Sequence, residues 1–324
     1  MRIAVTGSIA TDHLMTFPGR FTEQLIPEKI DRVSLSFLVD ALEIRRGGVA
    51  ANICFGLGVL GLRPLLVGAV GPDFGPYREW LSDHGVDCGG VRESTRHHTA
   101  RFICTTDLDG NQIASFYPGA MSEDAEIELA DVTQRAGALD LVLIGASDPA
   151  AMLSHTAECA ALGIAFAADP SQQLPRLDGP QVGALVDGAA YLFCNDYEEA
   201  LIERKTGWSS GEILDRVGVR VTTLGPAGAR VEQAGQPPVL VGPVPEQRKA
   251  DPTGTGDAFR AGFLAAVGWG LSLERAAQLG NLLAVTVLEA DGPQEYELKP
   301  ALVIERLAAV YGQEAAAEIA AHYG

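Results

Sequence analysis

The chain has 324 residues, is 47% hydrophobic and 20% charged, and carries a formal net charge of −18. That size suits one large domain, or a large domain with a small one, of ordinary globular composition. The acidic balance excludes nucleic acid as a partner, since phosphate backbones are bound by basic surfaces, and any anionic substrate must be received by a local site.

The opening stretch Arg2-Ile3-Ala4-Val5-Thr6-Gly7 reads as a short strand, not as the apolar core of a signal peptide. No apolar run approaches the ~18 residues of a membrane span, so the expected location is the cytoplasm. The cysteines (Cys54, Cys88, Cys104, Cys159, Cys194) are odd in number and lack metal-ligand spacing. They read as buried free thiols.

The first strand ends at Gly7-Ser8, with Asp12 a few residues on. Ligands of α/β sheets sit beyond the carboxyl ends of strands, so Ser8 and Asp12 are placed to touch one. Both residues also favour plain turns. Between 14 and 46 the pattern changes. Arg32–Val39 and Leu42–Arg45 alternate apolar and polar residues, which predicts half-buried strands. Arg46-Gly47-Gly48-Val49-Ala50-Ala51-Asn52 then opens an apolar helix. Paired glycines admit a ligand to the backbone, and the Asn52 amide can both donate to and accept from a sugar hydroxyl.

A strand over 64–71 and a helix stopped by Gly85 follow. Two alternating runs, 99–106 and 112–117, flank Asp109-Gly110 and predict a hairpin. This hairpin and the strands of 14–46 are read as one small β lid. From 138 onward short apolar strands alternate with helices, which implies a mostly parallel sheet with helices on both faces. Polar residues follow the strands at one end: Ser171-Gln172-Gln173, Asn195-x-x-Glu198 and Thr223-Leu224-Gly225-x-x-Gly228. An α/β active site belongs at that end.

The chain is organised around Asp251-Pro252-Thr253-Gly254-Thr255-Gly256-Asp257, a small-residue turn leading into the apolar run Ala258–Leu264. A turn of this kind presents unpaired N–H groups at the positive end of a helix dipole, which makes an anion site. Asp257 at the helix start is poorly placed to bind phosphate. It is well placed to take a proton from a hydroxyl attacking a phosphate. Asp is also a common helix N-cap. No Gly-Lys-Ser/Thr follows, so the turn is no Walker A loop, and it lies too late for a dinucleotide fingerprint.

This turn resembles the second signature of the ribokinase-type (PfkB) carbohydrate kinases, Asp-Thr-x-Gly-Ala-Gly-Asp, with Pro252 for Thr and Thr255 for Ala. Gly47-Gly48-x-x-x-Asn52 resembles that family's first signature. Two signatures in the right order are far more specific than either alone. The resemblance implies a ribokinase-like α/β fold with a mostly parallel central sheet, helices on both faces and a β-sheet lid. The core would take 1–13, 47–97 and 122–324, and the lid 14–46 and 98–121. Within the family the chain looks most like the bacterial adenosine kinases, through Val5–Asp12, Ser34–Phe37, Ser115–Met121 and Ala168–Gln173.

The reaction so implied is ATP-dependent phosphorylation of the adenosine 5′-hydroxyl, a purine-salvage step. Asp257 would be the base and Gly254, Thr255 and Gly256 would form the anion hole. Asp12, Gly47, Gly48 and Asn52 would hold the ribose, with Ser8 and Ser36 nearby. Phe102, Phe116 and Met121 would enclose the base, and Gln172 and Gln173 would hydrogen-bond it. Thr223, Gly225, Gly228, Gly256 and Asn195 would receive ATP. Asn195 and Glu198 would hold Mg²⁺ through water, and Asp251 would lie near a K⁺ site. The lid's edge strands could pair two subunits as a homodimer. Competing readings are a ribose or fructose kinase of the same family, a non-catalytic sensor, and a dinucleotide-dependent oxidoreductase. The aromatic pair, the intact Asp257 turn and the missing early Gly-x-Gly-x-x-Gly argue against them in that order.

Overall fold

The structure, a computed structural model, describes residues 1–26, 31–32 and 34–323. In chain order its strands are β1 (Ile3–Thr6), β2 (Ala10–Thr16), β3 (Ala41–Gly47), β4 (Leu65–Val70), β5 (Asp87–Glu93), β6 (Ala100–Thr106) and β7 (Gln112–Tyr117). There follow β8 (Leu141–Ile144), β9 (Ala165–Ala168), β10 (Tyr191–Asn195), β11 (Val219–Thr223), β12 (Ala229–Glu232) and β13 (Val239–Val241). Nine strands form one sheet in the order β13-β12-β11-β10-β9-β8-β1-β4-β5, and four form a second in the order β3-β2-β6-β7.

Every pairing in the large sheet is parallel except β11 with β12 and β12 with β13, so β12 alone runs against the other strands. Its central strands β1, β4 and β8 are apolar runs buried on both faces. Such strands must be covered on both sides. The helices Val49–Val59, Thr255–Gly268 and Leu273–Leu288 cover one face, with Phe55, Phe259 and Phe263 in its core. The helices Pro149–Leu162 and Gly179–Val186 cover the other, where Met152 and Val182 pack on Val142 and Ile144. Strand β1 lies between β4 and β8, so the chain leaves it in both directions. The crevice at its carboxyl end is the topological switch point where α/β proteins bind ligands.

The small sheet holds the expected hairpin: β6 and β7 pair in antiparallel register, with Phe102 opposite Phe116. It begins at Ala10, however, because β2 pairs with β3 and β6 in this sheet and not with β1. The lid therefore takes over earlier than residue 14. The expected strand over 32–39 does not form at 34–39. Val33 lies outside the described residues. The apolar positions there serve a local aromatic cluster instead, with the Phe37 ring 4.9 Å from Phe17 and 5.3 Å from Phe21. Strands β5, β12 and β13 went unread in the sequence. All five cysteines are buried and free.

Candidate active site

A cavity of about 610 Å³ lies between the lid and the carboxyl ends of the large sheet. Ser8 and Ala146, just past β1 and β8, line it, as do Gly48 and Asn52 at the start of the helix Val49–Val59. Gly48 has φ +96, and a Cβ there would meet Ser8 O at 2.5 Å, so only glycine brings the helix start this close to β1. Ser8 Oγ accepts a hydrogen bond from Val49 N at 3.0 Å and so serves the helix end as well as the cavity wall.

The turn 251–257 closes the floor. Gly254 is left-handed, with φ +78, and starts the helix Thr255–Gly268. The first N–H groups of that helix have no partner within it. Thr253, Gly254, Thr255, Gly256 and Asp257 all line the cavity. Thr255 Oγ donates to Pro252 O at 3.0 Å, so its hydroxyl is folded back onto the turn. Asp257 Oδ2 accepts from Asn52 Nδ2 at 2.9 Å, which joins the two signature turns through one hydrogen bond. Burial pushes the Asp257 carboxyl up to about 7, and nearby Asp169 adds to this; the Asn52 hydrogen bond and the Arg260 charge oppose it.

The lid forms the opposite wall. Arg45, Asp12, Phe102 and Phe116 stand opposite one another across β3, β2, β6 and β7. They share one face of the small sheet, and the last three line the cavity with Met121. A carboxylate beside an aromatic pair offers a polar and a flat apolar surface side by side. Burial, reinforced by Asp251 and opposed by Arg45, lifts the Asp12 carboxyl to about 6. Gly47 lies behind Asp12: a Cβ there would come within 3.0 Å of Asp12 Oδ2. Gln172 and Gln173, just past β9, complete the wall. Ser36 is not brought to the cavity. It is exposed on the segment that replaces the expected strand.

A second cavity of about 430 Å³ adjoins the first and shares Thr223, Thr255 and Gly256 with it. Gly225 and Gly228 line it, both at positive φ. Its apolar wall is Val244 with Ala284, Val285 and Leu288 of the helix Leu273–Leu288. Asn195 and Glu198 line the first cavity near this junction and form a capping box, each side chain accepting from the other's backbone N–H at 2.8 Å. Among the described residues only Oε2 of Glu198 is so engaged, which leaves an oxygen donor of the kind that suits water-bridged Mg²⁺. The described residues contain no cluster of three or more acidic, His or Cys side chains, so a divalent ion has no protein cage here. Asp251 ties the turn to the lid. Its Oδ2 accepts from Arg45 Nη1 at 2.7 Å and its Oδ1 from Thr253 N at 2.9 Å.

Sequence reasoning missed several side chains at this site. Arg260 lines the cavity, donates to Gly256 O at 2.9 Å and pairs with buried Asp169, Nη2 to Oδ1 at 2.6 Å. An arginine inside the apolar run Ala258–Leu264 was the signal: a charge buried there needs a partner. Arg176 lines the wall beside the glutamines, with no signal in the sequence to place it.

Residues 6–299 match the family described as pfkB family carbohydrate kinase. The chain is 28% identical over 287 residues to the nucleoside kinase of Methanocaldococcus jannaschii, a match that covers 86% of this chain and 91% of that one. It is 31% identical over 273 residues to the nucleoside kinase of Methanothermobacter thermautotrophicus, over 83% and 86% of the two chains. Its structure is similar to that of Burkholderia thailandensis nucleoside kinase in complex with inosine, with a TM-score of 0.83 and 34% identity over 96% of this chain and 99% of that one. A match running from β1 almost to the final two helices is more than two glycine turns could produce alone: the chain belongs to the pfkB family of carbohydrate kinases and has the ribokinase-like fold.

Proposed function

We propose that this kinase transfers the γ-phosphoryl group of ATP to the 5′-hydroxyl of a purine nucleoside, adenosine in the first instance. The observation that carries the reading is the meeting of two cavities at Thr255 and Gly256, with Asp257 beside the junction. The nucleoside lies in the first cavity. Its base stacks on Phe102 and Phe116, and its ribose hydroxyls bond Asp12 and Asn52. ATP lies in the second, with adenine against Val285 and Leu288 and phosphates over Gly225 and Gly228.

Asp257 takes the proton of the 5′-hydroxyl as the O5′–Pγ bond forms. The bond from Pγ to the bridging oxygen of ADP breaks. Backbone N–H groups at Thr255, Gly256 and Asp257 stabilise the charge on the phosphoryl oxygens. Positioning and electrostatics supply most of the catalysis in such a transfer. Asn195 and Glu198 would hold the water shell of a nucleotide-bound Mg²⁺, which would supply neutralisation of the phosphate charge. The relatives named as nucleoside kinases support the substrate class.

A second reading concerns the base. Gln172 Oε1 accepts from Ser171 Oγ at 2.7 Å, and Gln173 Oε1 from Arg176 Nη1 at 3.4 Å. Both amides thus offer their NH₂ groups, beside a guanidinium. A wall of donors suits the O6 and N7 acceptors of a 6-oxopurine, and this favours inosine and guanosine as further acceptors.

The test is ATP-dependent turnover of adenosine, inosine, guanosine, ribose and fructose in parallel. Turnover of purine nucleosides well above the free sugars is expected. A preference for ribose or fructose would remove the base-stacking role. Phe116→Ala should raise KM for the nucleoside more than KM for ATP; equal effects would make Phe116 structural.

The lid's outer face supports pairing with a second copy. Leu42, Met15, Thr105 and Ile113 form one cross-strand row there. Leu42 and Ile113 of that row are exposed, as is Ile44 beside it. Leu42→Asp with Ile44→Asp should shift the species seen in sedimentation from dimer to monomer. Identical sedimentation of wild type and variant would sink this pairing.

A further inference from the structure

Behind Asn52 runs a buried hydrogen-bond chain that the catalytic groups alone do not explain. Gln294, 1% exposed, follows the last helix of the core face. Its Oε1 accepts from Trp80 Nε1 at 3.2 Å. Its Nε2 donates to Asn52 Oδ1 at 2.9 Å and to Tyr77 Oη at 2.5 Å. Tyr77 Oη in turn donates to Gly47 O at 2.9 Å.

The orientation of each amide follows from one group. An indole N–H can only donate. It therefore fixes the oxygen of Gln294 toward Trp80 and the NH₂ toward Asn52. Asn52 must then accept with Oδ1 and present Nδ2 to Asp257. Were Asn52 turned over, its oxygen would face the Asp257 carboxylate, and one lone pair would oppose another. The segment is also braced against both turns. A Cβ on Gly254 would meet Pro293 at 2.5 Å, and Glu295 pairs with Arg46 at 3.2 Å, whose guanidinium lies 4.1 Å over the Trp80 ring.

We propose that Gln294 is a positioning residue that locks the Asn52 amide so that it donates to Asp257; the inference rests on the reading of Asp257 as general base. The other groups facing Asp257 are Arg260 from its own helix and Asp169 from the end of β9. Neither is hydrogen-bonded to Gln294, whose partners are Trp80, Asn52 and Tyr77, so the effect of Gln294 is separable.

The experiment compares wild type, Gln294→Glu, Gln294→Met and Asp257→Asn by kcat/KM against pH, and by a ¹³C titration of the Asp257 side-chain carboxyl, its resonance assigned by its loss in Asp257→Asn. Gln294→Glu accepts where Gln294 donated, so Asn52 turns its NH₂ away from Asp257. The expected result is a kcat lower by roughly ten- to a hundredfold, with KM for ATP unchanged. The acidic limb of the pH profile and the carboxyl titration should both move up by about one unit. Gln294→Met, which cannot fix Asn52 either way, should move both in the same direction by less. If both variants lose activity while the Asp257 titration stays at its wild-type position, Gln294 is structural and the inference is overturned. If the titration moves but Asp257→Asn keeps its turnover, the orienting role stands and the general-base reading fails. Should Gln294→Glu not fold, Gln294→Met and Trp80→Phe carry the same comparison, and an unmoved titration in both overturns the inference.

Discussion

Asp257→Asn should lower kcat by about 10²–10⁴-fold, the scale of a lost general base, while nucleoside affinity stays within about tenfold. The separation follows from the geometry. The substituted side chain still presents an oxygen to Asn52 Nδ2, now 2.9 Å from the carboxylate, and the backbone of the turn is unchanged. The anion hole therefore survives, and only the proton acceptor is lost. The wild-type carboxyl, pushed up to about 7 by burial, must be ionised to act. Wild-type kcat/KM should fall as pH drops through that value, and the variant should lack this limb.

Stability carries the opposite sign. A carboxyl whose folded value lies above the unfolded ~3.9 binds more protons in the native state, so it costs stability as pH rises between the two. Asp257→Asn should flatten that decline and leave the protein at least as stable at pH 8 as wild type. Steady-state kinetics and denaturant melts across pH measure both effects. Retention of more than about a tenth of turnover would take Asp257 out of the role of base.

The turns to which this chemistry is assigned were legible because their conformations need particular residues. Gly48 and Gly254 hold positive φ beside other backbone or proline, and few side chains could replace them. The parallel strands were legible from apolar runs bounded by turns. The lid was legible as alternation, yet alternation reports faces and not pairing. Nothing in 10–16 says that it leaves β1 for the small sheet, and Phe17, Phe21 and Phe37 gather without a ladder. Ser36 was misplaced for that reason. The wall of Ala284, Val285 and Leu288 was hidden for another: an apolar helix does not announce which of its faces lines a cavity. Gln294 and Asn52 are 242 residues apart, and a contact of that span leaves no local pattern.

Arg260→Met should destabilise the fold by about 3–5 kcal/mol, because it leaves the Asp169 carboxyl buried without its partner. Asp169 is 1% exposed and Arg260 5%, and Nε of the guanidinium approaches Asp169 Oδ2 at 2.5 Å. Methionine keeps much of the side-chain volume, so the loss reports the missing charge more than a cavity. Burial already raises the Asp169 carboxyl, and the guanidinium opposes that rise. Without it the carboxyl holds its proton to higher pH, and the native state of the variant binds more protons than the unfolded chain. The deficit should therefore be smaller at pH 5 than at pH 8. Asp169→Asn is the companion. It strands the guanidinium, whose charge does not titrate in this range, so its deficit should not shrink with acid. The double substitution should cost less than the sum of the two, since the stranded charge of each single variant is gone. Arg260 also restrains the Asp257 carboxyl, so the activity limb of Arg260→Met should move to higher pH. Urea melts at both pH values decide the matter. A loss below about 1 kcal/mol at pH 8 would mean that water reaches Asp169 and that the pair is a surface contact, not the buried brace of the helix that begins at Thr255.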